Sequence, residues 1–198
     1  MVIIIAILNV VQFFPYLWSV RCGQAKPSIS SWSRSVFSLI VTLLASLSLG
    51  SEKIIISCGL GVICQIIIIG YAIKLGSTFK PSILELLAFA GIVGGIVLWI
   101  FFGLTQWSIF INVVIDVFGM AFTAKKLWSN PFSECFPTWL IGTVVTLLAV
   151  IHFNEAAFTD LLFLWALFVS NLGIVLMVIF RSQFFSQYPA TGAQNYDM

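Results

Sequence analysis

Long apolar runs alternate with brief polar connections along the whole chain. Seven runs stand out, at residues 2–18, 36–49, 54–73, 83–104, 108–124, 140–153 and 161–180. A helix needs about 17–25 apolar residues to cross the hydrocarbon core of a bilayer. The second and sixth runs are short and extend back to Trp32 and Trp139. The longest internal connections, 19–34 and 125–137, leave no room for a soluble domain. The pattern therefore predicts an all-α polytopic membrane protein with seven transmembrane helices. The first run lacks a basic flank and an A-x-A cleavage site, so it reads as a retained span rather than a signal peptide. Residues 181–198 read as a polar, flexible cytoplasmic tail.

Composition sharpens this picture. The 198 residues are 61% hydrophobic and only 8% charged, with mean hydropathy +1.12. A soluble domain carries about 25% charged residues, so a soluble enzyme, a disordered chain and a nucleic-acid binder are excluded. The net charge of +2 is too dispersed to attract nucleic acid. Basic residues favour cytoplasmic loops. With the N-terminus outside, Arg21, Lys26, Arg34, Lys74, Lys80, Lys125, Lys126 and Arg181 fall on the cytoplasmic side and only Lys53 outside. The C-terminus is then cytoplasmic. Trp18, Trp32, Trp128 and Trp139 sit near the cytoplasmic interface and Trp107 near the outer one, as an aromatic belt requires.

The chain also resembles itself. Val41-Thr42-Leu43-Leu44-Ala45 recurs as Val145-Thr146-Leu147-Leu148-Ala149. The same ungapped shift pairs Pro27 with Pro131, Arg21 with Lys125 and Gln12 with Asp116. A duplication of this kind maps span 1 onto span 5 and span 2 onto span 6, so both halves enter the membrane in the same direction. The expected plan is 3+1+3, with 1–76 as the first three-helix repeat, 83–104 as a linker helix and 105–180 as the second repeat. Parallel repeats of this sort place a substrate route at their interface.

Few residues can carry chemistry. Asp116 is the only acid deep inside a span, where an ionised carboxylate costs about 2.5 kcal/mol or more. It must be protonated, paired or wetted by a cavity. It reads either as part of a polar substrate path, able to exchange a proton, or as a structural clamp between helices. Asn112 lies one turn earlier on the same face, and Gly119 lets another helix approach. Asn9, Gln12, Gln65 and Asn171 place further amides near mid-depth, which suits neutral or zwitterionic cargo. Pro15, in the last turns of span 1, removes a backbone bond and marks a hinge or a static kink. Glu85 starts span 4 and is expected to face water or Lys80, and His152 to lie at the outer interface. The four cysteines show no metal-ligand spacing. Motifs for nucleotide binding, hydrolysis, haem or zinc are missing, so neither enzyme activity nor a metal or cofactor is expected.

The loop residues carry a family likeness. Pro15-Tyr16, Gly23, Lys26-Pro27 and Ser31-Trp32 form one string. Asp116, Gly119, Thr123, Lys126, Pro131, Ser133-Glu134 and Thr138-Trp139 form the other. Together they resemble a family of uncharacterised bacterial seven-span membrane proteins, distantly similar to the PQ-loop and SWEET superfamily. The PQ dipeptide is absent, with Pro15-Tyr16 in its place, and Phe122 stands where the bacterial family usually has proline. The resemblance implies a carrier working by alternating access on sugars, amino acids or similar polar cargo, in a bacterial inner membrane. It implies that Asn171 matches the span-7 asparagine of SWEET-type carriers and that Gln65 replaces their span-3 asparagine. It gives Lys26, Pro27, Trp32, Lys126, Pro131 and Trp139 as loop-motif residues. A non-transporting receptor, scaffold or assembly factor on the same fold is the alternative, because fold does not fix function. The expected partners are the lipid bilayer and a small polar solute, and a homo-oligomer is left open.

Overall fold

The computed structural model describes residues 1–23, 25, 27–50, 52–129, 134–153 and 158–187. The described residues form eight helical segments and no strand: α1 (Val2–Val11), α2 (Phe13–Arg21), α3 (Ile29–Ser48), α4 (Glu52–Lys74), α5 (Ile83–Phe102), α6 (Thr105–Ser129), α7 (Phe136–His152) and α8 (Phe158–Gln187). The first two make one crossing, Val2–Arg21. Pro15 explains its interruption. A proline has no N–H for the carbonyl four residues back and its ring crowds that carbonyl. That carbonyl belongs to Val11, and the helix breaks at Val11–Gln12 while Gln12 keeps helical dihedrals.

Five helices are long and apolar enough to cross a membrane. They are Val2–Arg21, Ile29–Ser48, Ile83–Phe102, Thr105–Lys125 and Phe158–Ser182, and they make this a multi-pass membrane protein. Gly59–Lys74 and Phe136–His152 are shorter apolar helices. The second follows from the sequence: Pro137 opens α7 near its N-terminus, where a missing N–H costs nothing, and the helix ends at His152 after 17 residues.

Neighbours in sequence are not always neighbours in space. The first crossing packs on α4 and α7, α3 packs on α4, α5 and α6, and α8 packs on α6 and α7. One half of the bundle is filled by an apolar cluster that includes Ile5, Leu39, Ala45, Val145, Ala149, Phe163 and Leu164. The opposite faces carry large exposed side chains such as Ile3, Phe101 and Phe158, as lipid-facing helices do.

Polar clamps fix the helix ends. Ser82 and Glu85 form a capping box at the start of α5. Glu85 also accepts from Ser30 Oγ at 3.0 Å and Ser31 Oγ at 2.7 Å at the start of α3. It is therefore buried and spoken for, rather than facing water or Lys80. At the other end of α3, Ser46 Oγ donates to the buried Asp160 of α8 at 3.1 Å. Gly103, at φ +66°, turns α5 into α6 within two residues, a left-handed conformation that only glycine adopts cheaply. Arg181 belongs to α8 rather than to a tail: it donates to Trp128 O at 2.7 Å and lies over the Trp128 ring. The rest of the segment expected as a tail, beyond Gln187, lies outside the described residues.

Glu85 alone serves the α5 N-terminus and two α3 hydroxyls. Glu85→Ala is expected to lower stability by about 1–3 kcal/mol, the cost of stranding buried hydrogen-bonding groups. Glu85→Gln should lose less. Thermal unfolding of the detergent-solubilised protein measures both.

Candidate functional site

Below the apolar cluster the bundle opens into a cavity of about 270 Å³. Every helix contributes to its wall except α5. It reaches from Ile5 and Leu164 down to Ser28 and Glu134 in the connections before α3 and α7.

Of the residues expected on a substrate path, Asn9, Gln12, Gln65, Asp116 and Asn171 lie on this wall. They come together from the first crossing, α4, α6 and α8. Gln12 Nε2 donates to Asn9 Oδ1, one turn away at the broken point of the first helix. Gly142 of α7 makes room for two of these amides. A Cβ there would lie 2.7 Å from Gln12 Oε1 and 3.4 Å from Asn171 Oδ1. Gln65 Oε1 is buried without a described hydrogen-bond partner.

Asn112 is placed elsewhere. It is fully buried, its amide donates to Ser108 O at 2.8 Å, and it accepts from Ser38 Oγ at 3.2 Å. Gly95 of α5 lies against it. It ties α3, α5 and α6 together and is not part of the wall. Its spacing from Asp116 suggested a shared face. The difference is one of angle, since four residues rotate a helix by about 40° and the cavity edge falls between them.

The largest surprise is Arg34. The hydropathy pattern put it in a loop as a topology-setting charge. It instead lies inside α3, 7% exposed, and its guanidinium pairs with Asp116 of α6 at 3.2 Å. Nη1 also donates to Ile115 O at 3.2 Å, and Ser38 Oγ holds the other carboxylate oxygen at 3.0 Å. Gly119 lies flush against this group, and a Cβ there would come within 1.9 Å of Nη2. Three readings offered for Asp116 thus reduce to a pair that also borders the cavity. No sequence signal marked the partner, because the two residues are 82 positions apart.

Trp32 and Trp139 also depart from expectation. Both line the cavity rather than an interfacial belt. Trp32 packs tilted against Tyr16, with centroids 5.2 Å apart, and donates to its hydroxyl at 3.3 Å. Trp139 Nε1 and Thr138 Oγ1 are buried with no described partner. Trp18, Trp107 and Trp128 are exposed, as a belt requires. Pro27 is buried beside Ser28, which caps α3. Lys26 and Pro131 lie outside the described residues, as does the Lys126 side chain. Among the described residues no group of three or more His, Cys, Asp or Glu could hold a metal, and His152 is exposed against Phe153.

No family model, curated protein or solved structure matches this chain. The geometry above is therefore what bears on function.

Removing one member of a buried pair strands the other, at about 3–5 kcal/mol. Asp116→Asn is expected to destabilise near the low end of that range, since Asp116 keeps 18% exposure. The double variant Arg34→Gln/Asp116→Asn should recover much of the loss. Denaturant unfolding in mild detergent compares them.

Proposed function

We propose that this protein is a small-solute carrier that works by alternating access, moving a sugar, amino acid or similar polar cargo through the central cavity. It performs no chemistry on that cargo. The observation that carries the reading is a mostly apolar cavity, walled by every helix except α5, into which a few amide, carboxylate and guanidinium groups are set. Asn9, Gln12, Gln65, Asp116 and Asn171 line the route. Pro15 is the hinge of the first crossing.

The carrier is built as two parallel three-helix repeats, 1–76 and 105–180, joined by the linker helix at 83–104. The contacts support this plan. The shift that superposes the repeated pentapeptide converts the first crossing into α6, α3 into α7 and α4 into α8. Packing of the first crossing on α4 becomes that of α6 on α8, and packing of α3 on α4 becomes that of α7 on α8. The contact of the first crossing with α7 becomes the contact of α6 with α3. Individual residues follow the same rule. Gln12 meets Gly142 across one interface, and their equivalents Asp116 and Ser38 meet across the other.

The N-terminus faces out and the C-terminus the cytoplasm, in a bacterial inner membrane. The cavity then opens inward, toward Ser28 and Glu134, and the apolar cluster above it is the closed outer gate. A scaffold or assembly factor is the second reading, favoured by the Asn112 and Ser46–Asp160 clamps, which hold helices and touch no cavity.

A thermal-shift screen of the purified protein with sugars, amino acids, nucleosides and vitamins separates the two. Ligand at about 100 times its Kd stabilises a one-site protein by roughly 2.7 kcal/mol. One chemical class should raise the melting temperature, and Asn171→Ala or Gln12→Ala should abolish the shift while remaining folded. A flat panel with stable co-purification of one protein would favour the scaffold. Orientation has its own test. Cys22 is free and exposed after α2, so a membrane-impermeant maleimide should reach it only from the cytoplasmic face.

A further inference from the structure

Arg34 has more hydrogen-bonding capacity than the fold uses. A guanidinium has five N–H donors in a planar fork. Nη1 serves Ile115 O and Asp116 Oδ1. Nε and Nη2 make no hydrogen bond to a described residue, yet neither is sealed among the buried unsatisfied atoms. The side chain is 8% exposed and borders the cavity. Asp116 engages only one corner of the fork, because Ser38 holds its second oxygen. The Nε–Nη2 edge is thus left whole beside the cavity, with a geometry that matches a carboxylate bidentately.

Two further features point the same way. Thr138 Oγ1 and Trp139 Nε1 are buried, without a described partner, and belong to residues on the same wall. Thr138 is itself 8% exposed. Indole N–H can only donate, and a hydroxyl can donate to an oxyanion. Together with the two free corners of Arg34, these leave more unused donors than acceptors among the described wall groups, whose orphan acceptors are Gln65 Oε1 and the Thr138 hydroxyl itself. A ligand rich in acceptors fits such a wall. Charge sets the upper limit: Asp116 and Glu134 line the cavity beside Arg34, so opposition grows with each negative charge on the cargo, and one carboxylate held directly on the guanidinium is the most the wall favours.

We propose that Arg34 is the cargo-recognising residue of this cavity and that it binds the single carboxylate of a small organic solute through its Nε–Nη2 edge. This rests on the carrier reading for its role in transport, but binding is measurable apart from flux. The shared chemistry is the carboxylate, carried by an anion such as lactate or a zwitterion such as alanine. Gly119 is the positioning residue, since a side chain there would displace the guanidinium.

The test uses the full chain in detergent at neutral pH and in proteoliposomes. Probes are alanine, leucine and lactate, their matched amides, succinate and glucose. At least one monocarboxylate should stabilise the native protein and its amide should not. Alanine or leucine against lactate then tells zwitterion from anion. Arg34→Lys keeps the charge but loses the fork, and should weaken binding roughly tenfold or more, the scale of a lost charge-assisted hydrogen bond. Arg34→Gln/Asp116→Asn leaves no stranded charge, and should fold yet give no carboxylate response. Equal binding of acid and amide, full affinity in Arg34→Lys, stronger binding of succinate, or no response to any carboxylate would overturn the proposal. Glucose binding and flux without a carboxylate response would overturn it while leaving the carrier standing. Carboxylate binding that depends on Arg34, without flux, would support it and remove the carrier.

Discussion

An arginine buried among membrane helices must find a counter-charge, because the hydrocarbon around it offers no solvation. Here Arg34 of α3 finds Asp116 of α6, and much of the structure follows from that requirement. The pair fixes the register of α3 against α6. It requires Gly119, since no larger residue fits against the guanidinium. It places Ser38 on the second carboxylate oxygen, and the Ser38 hydroxyl then lies within reach of Asn112, which reaches back to Ser108. It also leaves both charges bordering the cavity, where water can reduce the desolvation cost that a fully dry pair would bear.

The proposed duplication makes the two interfaces between halves comparable, and they are unequal in strength. At one, Asp116 and Ser38 are joined by an ion pair. At the other, the equivalent positions are Gln12 and Gly142, and the position equivalent to Arg34 is Thr138. That interface has amides and close packing but no charge pair among its described residues. It also contains the helix break that Pro15 imposes. Amide contacts exchange with water at little net cost, whereas separating a buried ion pair is expensive. On the carrier reading, the first crossing moves against α7 while α3 and α6 stay locked.

The helical, multi-pass character was legible from apolar run lengths, because lipid leaves a spanning backbone few alternatives. Asp116 and the mid-depth amides were legible for the same reason: polar groups in apolar runs stand out. Their partners were not. Arg34 lay at the edge of a run and read as a loop charge, and only the α3–α6 contact turns it inward. Trp32 and Trp139 read as belt residues from their position at run ends, whereas their side chains line the cavity. Depth is written in hydropathy, but the direction a side chain points around the bundle is set by which helices meet. Asn112 failed on that ground, and Glu85 failed because its serine partners on α3 are distant in sequence.

On the carrier reading, the cavity is what sets its wall apart from structural packing. Empty apolar volume destabilises a folded protein by about 24 cal/mol per Å³. Packing interhelical space with leucine and phenylalanine is the cheaper solution, and this chain uses it in the apolar cluster around Leu39 and Phe163. Polar cavities are tolerable because water fills them and bonds to their groups. Tyr16, Trp32, Trp139 and Gln65 line the space, and Gln65 Oε1 and Trp139 Nε1 are left there without a described partner. A scaffold gains nothing from that arrangement. A protein that exchanges bound water for a polar solute requires it, since the groups left unpaired by the fold are the ones a ligand can satisfy.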